Sequence, residues 1–325
     1  MLRAACGWGE NLLIYYNPLT GIRARAGWHF LLRKILATGM TSIVSDKVAE
    51  NRSTVLLGAN GRLGQAIGTF WSGDALVRVA RKAGPDVHRV DMRADAAGLR
   101  DVLVGQGAVL CMAGVTDAAV RAGAAMSDNV DLALAAIEAA HLAGAGRVFL
   151  ASSAAVYGRQ SGDLAEDAVL APLTAYGHAK CEMEQAGLAL GKKLGQPVTV
   201  LRIGNVAGVD AILGGWHAEM AVDQLPSGRT PVRSYIGLQS LTRVLQDLAT
   251  RADVPAVLNI AQPGMIEMGA LLDAAQLPWR ARPAPEGVIA EVSLSTRLLA
   301  RYSSLRKATP AGLVAEWRLF EGKER

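Results

Sequence analysis

Directly after a short apolar run at 53–57, the chain reads Gly58-Ala59-Asn60-Gly61-Arg62-Leu63-Gly64 and then turns amphipathic. Glycines spaced Gly-x-x-Gly-x-x-Gly between a buried strand and a helix let the backbone approach a pyrophosphate, while the helix N-terminus supplies free N–H donors. The bare spacing also occurs in ordinary strand-to-helix turns, and 35 glycines make chance matches easy, so the setting decides. That setting is periodic. Further apolar runs at 76–80, 87–90, 108–112, 147–151 and 198–202 alternate with longer amphipathic stretches, the pattern of a parallel sheet covered by helices. Between 112 and 147, Ala133, Ala136, Ile137 and Ala140 recur at the spacing of a core-facing helical stripe. Thr174 can cap a helix that begins near Tyr176 and runs to Lys192-Lys193, where Gly195 and Pro197 stop it.

The expected fold class is therefore α/β: a Rossmann-like doubly wound parallel sheet with a small C-terminal substrate-binding lobe. Three segments are expected. Residues 53–207 read as the dinucleotide-binding core. Residues 208–325 read mainly as the substrate-binding lobe, with some elements returning to the core, because Gly214-Gly215, Pro226, Gly228 and Pro231 mark loops rather than another strand–helix unit. Residues 1–52, with Trp8, Tyr15, Tyr16 and Trp28 among arginines and no sustained period, read as an added, disordered arm or as a translation start placed too early, with Met40 the alternative initiator.

Charge argues against nucleic acid as a partner. The net formal charge is +5, but residues 1–52 alone hold seven Lys/Arg and three acids, so only +1 remains from Ser53 onward. Cys6, Cys111 and Cys181 are odd in number and far apart, which speaks against a disulfide framework and for a reducing cytoplasm. The five histidines are equally scattered, and no metal is expected. No apolar run reaches the roughly 18 residues that span a bilayer, and Glu10-Asn11 interrupt any signal-peptide core, so a cytoplasmic protein is expected.

Tyr176-Gly177-His178-Ala179-Lys180 places a phenol and an ammonium on one helix face. A cation beside a phenol favours the phenolate and lowers its pKa toward working pH, as general acid–base catalysis requires. A tyrosine packing beside a solvated lysine would give the same spacing. What raises the catalytic reading is order: the pair follows both the glycine loop and Ser152-Ser153 at the end of the run 147–151.

Taken together, these motifs resemble the extended branch of the short-chain dehydrogenase/reductase superfamily, the NAD-dependent epimerase/dehydratase family, from Ser53 to the C-terminus. The resemblance implies Ser153, within Ser152-Ser153-Ala154-Ala155-Val156-Tyr157-Gly158, as the hydroxyl that bonds the reacting oxygen, with Tyr176 as acid/base and Lys180 beside it. It implies Asn129 as the helix asparagine that supports the lysine through water. For the cofactor it implies Gly58, Asn60, Gly61, Arg62, Leu63 and Gly64, then Asp91-Met92 near the adenine, Ala113-Gly114 along the ribose, and Lys180. For the substrate it implies Asn205, in Leu201-Arg202-Ile203-Gly204-Asn205-Val206, and Arg233, in Arg233-Ser234-Tyr235-Ile236. Ser234 departs from the family, where an acid is usual. Bland readings stand beside three of these: Asp91 as a loop cap, Asn129 as a helix cap and Arg233 as a solvated side chain. A homodimer is a common state in the resembled family.

The run 76–80 ends in Ala80 followed by Arg81-Lys82, where an NAD-binding protein would carry an acid on the ribose 2′-OH. Cations there favour NADP, with NAD the alternative. Ala154-Ala155 replace the Asp-Glu pair that sugar dehydratases of the resembled family carry, so dehydration is disfavoured. The remaining readings are a sugar-nucleotide 4-epimerase, an NADPH-dependent reductase of a keto-sugar or of a non-sugar ketone, and a non-catalytic NADP-sensing protein on the same fold. The serine segment favours the first; Arg81-Lys82 and the modest length from Ser53 favour reduction.

Overall fold

Four consecutive buried residues, Thr54–Leu57, form the strand β1 at the centre of a parallel sheet in the computed structural model, which describes residues 15–16, 23–24, 53–73 and 75–323. The helix α1 follows at Arg62–Phe70, then β2 at Leu76–Ala80, β3 at Val87–Arg89 and α2 at Ala96–Leu103. Next come β4 at Ala108–Cys111, α3 at Asp128–Ala143, β5 at Arg147–Ser153 and α4 at Ala175–Leu194. The strand β6 at Val198–Ile203, the helix α5 at Leu238–Ala249 and β7 at Val257–Ile260 complete the set. The sheet order is β7-β6-β5-β4-β1-β2-β3, with all pairings parallel. The order reverses between β1 and β4, and the C-terminal strand ends open a crevice at that point.

Strand alternation builds two apolar layers. Val55, Leu57, Val109, Val148, Leu150 and Val200 face α2, α3 and α4, while Leu56, Leu110, Phe149, Leu201 and Ile260 face α1 and α5. Ala133, Ala136, Ile137 and Ala140 are all buried, as their spacing predicts. The strand 147–151 is two residues longer than its apolar run. Ser152 and Ser153 pair with Arg202 and Ile203 of β6, so hydrophobicity ends before the ladder does.

Residues 208–231 are indeed loop-rich, with one short strand at Ala221–Gln224. Further on, α5 and β7 form a helix–strand unit and supply the sheet's seventh strand. Leu238, Leu241, Leu245 and Leu248 keep a helical period that the surrounding glycines and prolines obscure. The remaining chain makes small sheets near the end of β5. One has four strands, in the order Ile266–Glu267, Val232–Arg233, Glu291–Leu294 and Asp163–Leu164. Helices α6 at Met268–Ala275 and α7 at Pro310–Lys323 pack on each other, and α7 also contacts α5. Among the described residues, no helix is long and apolar enough to cross a membrane.

Apart from an antiparallel pairing of Tyr15–Tyr16 with Arg23–Ala24, the expectations for residues 1–52 lie outside the described residues.

Candidate active site

The glycine turn is shaped by close backbone approach. Gly58 sits at φ +89°, and a methyl group there would lie 2.6 Å from the Ala113 nitrogen and 2.8 Å from its Cα. The end of β1 and the end of β4 thus touch, and only glycine fits. Gly58→Ala is expected to lower cofactor affinity at least about tenfold and to cost about 1–3 kcal/mol in backbone strain. Isothermal titration with NADH and with NADPH, and thermal melts, check both; wild-type affinity would refute the cradle.

Gly61 caps α1 without a side-chain hydrogen bond, so the N–H groups of the first turn and the positive end of the helix dipole stay available. Gly64 is buried on that helix, and Leu63 packs into the core. Asn60 Nδ2 donates to the Lys82 carbonyl at 2.9 Å, fastening the segment after β2 to the glycine turn. Exposed Arg81 begins that segment and acts electrostatically on Asp91. Asp91 does cap its loop: Oδ1 accepts from the Arg93 and Ala94 N–H groups at 3.1 and 3.3 Å. The Arg93 N–H, chiefly, then the Ala94 N–H and the cations of Arg81 and Arg93, hold its carboxyl below the ordinary value against partial desolvation. Met92 is buried in the core. Arg62 turns its guanidinium to the carbonyls of Val209 and, at 3.0 Å, Gly214, linking the glycine turn to the loop beyond β6.

At the end of β5, Ser153 Oγ accepts from the Ala155 N–H at 3.2 Å and is hydrogen-bonded to Tyr176. Thr174 Oγ1 accepts from the Gly177 N–H at 3.0 Å, which starts α4 and sets Tyr176 in its first turn. Lys180 follows one turn later. Its Nζ lies 5.7 Å from the Tyr176 ring centroid and donates to the Ala151 carbonyl at 2.8 Å. With only 4% of Lys180 exposed, burial pushes its ammonium down to about 8, opposed by Cys111 and Glu184. The expected lowering of the Tyr176 phenol by this lysine is not seen. Burial pushes Tyr176 above its ordinary value, the Ser153 hydrogen bond opposes this, and Asp117 adds to it. Desolvation of a phenolate outweighs its hydrogen bond here.

Gly114 joins the remaining parts. A methyl group on it would lie 2.9 Å from Asn129 Oδ1 and 3.2 Å from Lys180 Nζ. Asn129 is buried, and its side chain is committed to backbone: Oδ1 accepts from Val115 N–H at 3.1 Å, and Nδ2 donates to Val115 and Met126 carbonyls at 3.0 Å. It therefore shapes the strip along the end of β4, where a bound dinucleotide would run. The cradle at Gly58, the uncapped start of α1 and the side-chain-free strip at Gly114 together fit such a group.

Beside Ser153 opens a cavity of about 210 Å³, whose lining includes Ala154, Ala155, Thr174, Asn205 and Arg233. Asn205 is hydrogen-bonded to Tyr235, whose hydroxyl donates to Asp210 at 3.0 Å. Arg233 is no solvated side chain: its guanidinium donates to the Val232 and Ile289 carbonyls at 2.8 and 2.7 Å. Ser234, at the family's usual acid, accepts from the Leu294 N–H at 2.8 Å and secures the small sheet. Trp216 Nε1 donates to the Pro278 carbonyl, away from this lining.

Sequence reasoning missed a buried polar group directly behind Ser153, comprising Ser152, Glu184, Arg202, Tyr157 and Asn259. A signal existed, since Glu184 lies one turn beyond Lys180 on the face that Met183 and Lys180 bury. Among the described residues, no cluster of three or more His, Cys, Asp or Glu could hold a metal ion.

The family model described as NAD dependent epimerase/dehydratase family matches residues 55–215. No curated protein matches the sequence. Among solved structures, MoeE5 in complex with UDP-glucuronic acid and NAD is 22% identical with a TM-score of 0.69, covering 84% of this chain and 100% of that one. UDP-glucose-4-epimerase from Stenotrophomonas maltophila, with bound NAD and formylated UDP-arabinopyranose, is 19% identical with a TM-score of 0.70, covering 85% and 99%. A dTDP-glucose 4,6-dehydratase from Streptomyces venezuelae is 20% identical with a TM-score of 0.65, covering 83% and 98%. At such identities these likenesses establish the shared fold.

Proposed function

The chain belongs to the NAD dependent epimerase/dehydratase family through residues 55–215, and we propose that it exchanges hydride at an alcohol or ketone carbon of a sugar nucleotide or keto-sugar. The observation that carries this reading is the convergence of Tyr176 and Lys180 on Ser153, which lines the cavity, together with a glycine cradle suited to a dinucleotide. The family members solved with UDP-sugars and NAD support the substrate class.

In this reading the nicotinamide, when bound, supplies or accepts the hydride. Gly58, Gly61, Gly64, Ala113, Gly114 and Lys180 would hold it. The chain's own groups handle the proton. The Tyr176 hydroxyl gives a proton to the substrate oxygen as a ketone is reduced and takes it back in the reverse direction. Ser153 hydrogen-bonds the same oxygen, and Asn205 and Arg233 orient the substrate. Residues 53–207 serve as the cofactor core and 208–325 mainly as the substrate lobe. Dehydration is disfavoured because Ala154 and Ala155 line the cavity without any group to move a second proton.

NADP is the proposed cofactor over NAD, because Arg81-Lys82 follow β2 and Asn60 fastens that segment to the glycine turn. Reduction of a keto-sugar, or of a non-sugar ketone, is the reading these cations favour. Epimerisation is the alternative that the serine segment favours. A panel of UDP- and dTDP-sugars and their 4-keto forms separates the two: a reductase consumes NADPH, whereas an epimerase interconverts sugars with no net change in reduced nicotinamide. Arg81→Ala is expected to weaken NADPH binding about tenfold and NADH binding little. Equal affinity of the wild-type protein for both cofactors would refute the NADP assignment. Cofactor binding without turnover on the panel would favour a non-catalytic NADP sensor.

A further inference from the structure

Ser152, Arg202 and Asn259 occupy one register row across β5, β6 and β7. In a parallel sheet such residues point to the same face. All three are buried, as is Glu184, which α4 lays over the row. Glu184 receives a hydrogen bond from the Ser152 hydroxyl at Oε1. Its other oxygen takes Arg202 Nη2 at 2.8 Å, and Nε lies 3.2 and 3.1 Å from the two oxygens. The far side of Arg202 is also occupied: Nη1 donates to the Tyr157 hydroxyl at 3.0 Å and to the Glu166 carbonyl at 2.8 Å. Tyr157 in turn donates to Asn259 Oδ1 at 2.7 Å. A buried carboxylate with a bidentate guanidinium and a hydroxyl has most of its acceptor sites satisfied, which makes this a stiff joint.

We propose that Glu184 is a positioning residue: through Ser152 and Arg202 it locks the end of β5 against α4 and so sets the spacing among Ser153, Tyr176 and Lys180. The inference rests on the hydride-exchange reading given above. Neighbours on one strand explain the coupling. Ser152 binds Glu184, and the residues on either side of it present the Ala151 carbonyl to Lys180 and the Ser153 hydroxyl to Tyr176. Tyr176, Lys180 and Glu184 lie at successive turns of one helix, so both halves of the site are referred to a single bracket. Glu184 is not among the residues that line the cavity.

Substitutions at Ser152 and Glu184 in the full chain test this. Ser152→Ala removes only the tether to β5 and leaves the Glu184–Arg202 pair intact. Expected are a melting temperature near that of the wild type, NADPH affinity within about twofold, and kcat at least about tenfold lower with KM little changed. Ser152→Thr, which keeps the hydroxyl, should restore most of the rate. Glu184→Gln reads the same joint without any reaction. The groups facing Lys180 are Cys111 from β4 and Glu184 and Tyr176 from α4. Glu184 raises the lysine, so the Lys180 titration, followed by NMR of labelled lysine side chains and identified with Lys180→Met, should fall below its wild-type midpoint near 8. Wild-type kcat in Ser152→Ala, or an unmoved Lys180 midpoint in folded Glu184→Gln, overturns the proposal. If the wild-type protein turns over nothing on the panel, the functional reading fails while the lysine titration still decides this one. If Glu184→Gln does not fold, Ser152→Ala decides it alone.

Discussion

Tyr176→Phe should lower kcat by about 10²–10⁴-fold while leaving cofactor affinity within about twofold. The substitution removes one oxygen and nothing else, because the ring remains in the first turn of α4 behind the Thr174 cap. That oxygen is hydrogen-bonded to Ser153, which lines the cavity, and burial keeps the phenol protonated at neutral pH. It is therefore placed to act as an acid toward a ketone oxygen. Ser153→Ala should be less severe, and the double variant should lose little beyond Tyr176→Phe, since the two hydroxyls act on one substrate oxygen. A Tyr176→Phe protein retaining a third or more of the wild-type kcat would remove Tyr176 from the chemistry.

Lys180→Met should abolish most of the turnover and, in the cofactor-free protein at neutral pH, raise stability. A lysine driven from 10.5 down to about 8 by burial costs the folded state on the order of 3 kcal/mol where the unfolded chain is fully protonated. The sign follows from proton counts. Between about pH 8 and 10.5 the unfolded state holds more protons at this site than the folded state, so wild-type stability should rise with pH across that window. Below about pH 8 the full penalty applies. Methionine fills a similar volume without a charge, so the variant should melt roughly 5 °C higher at pH 7, with the difference shrinking toward pH 10. The Ala151 carbonyl loses its donor, which offsets part of the gain. Thermal melts of both proteins at pH 7 and pH 10 check this; a Lys180→Met protein less stable than wild type at both would show that the Ala151 contact outweighs burial of the charge.

Much of the fold was legible in the chain because strand burial and helix capping are local. The run 76–80 is the strand β2 residue for residue, and Thr174 and Gly195 bound α4 as capping chemistry requires. The glycine turn was legible for the same reason, since a positive φ and a missing Cβ are properties of single residues. Less legible was the return of the chain to the sheet through α5 and β7, where the helical period of four leucines lies among turn residues. Arg62 and Arg233 show a different limit. Their place in motifs was plain, yet Arg62 donates to carbonyls 147 and 152 residues away, and Arg233 donates, besides its neighbour Val232, to carbonyls 56 and 57 residues away, and no local pattern encodes those distant choices.

By itself, then, the sequence determined the alternation of strands and helices, the cradle at Gly58 and the helix face shared by Tyr176 and Lys180, because each depends on residues within a turn or two of one another. Only the tertiary structure decided how those groups are tuned. Burial raises Tyr176 and lowers Lys180, and a carboxylate from α4 meets a serine and an arginine from two different strands. Desolvation and long-range pairing depend on what the rest of the chain packs around a group, and spacing along the chain carries no record of that.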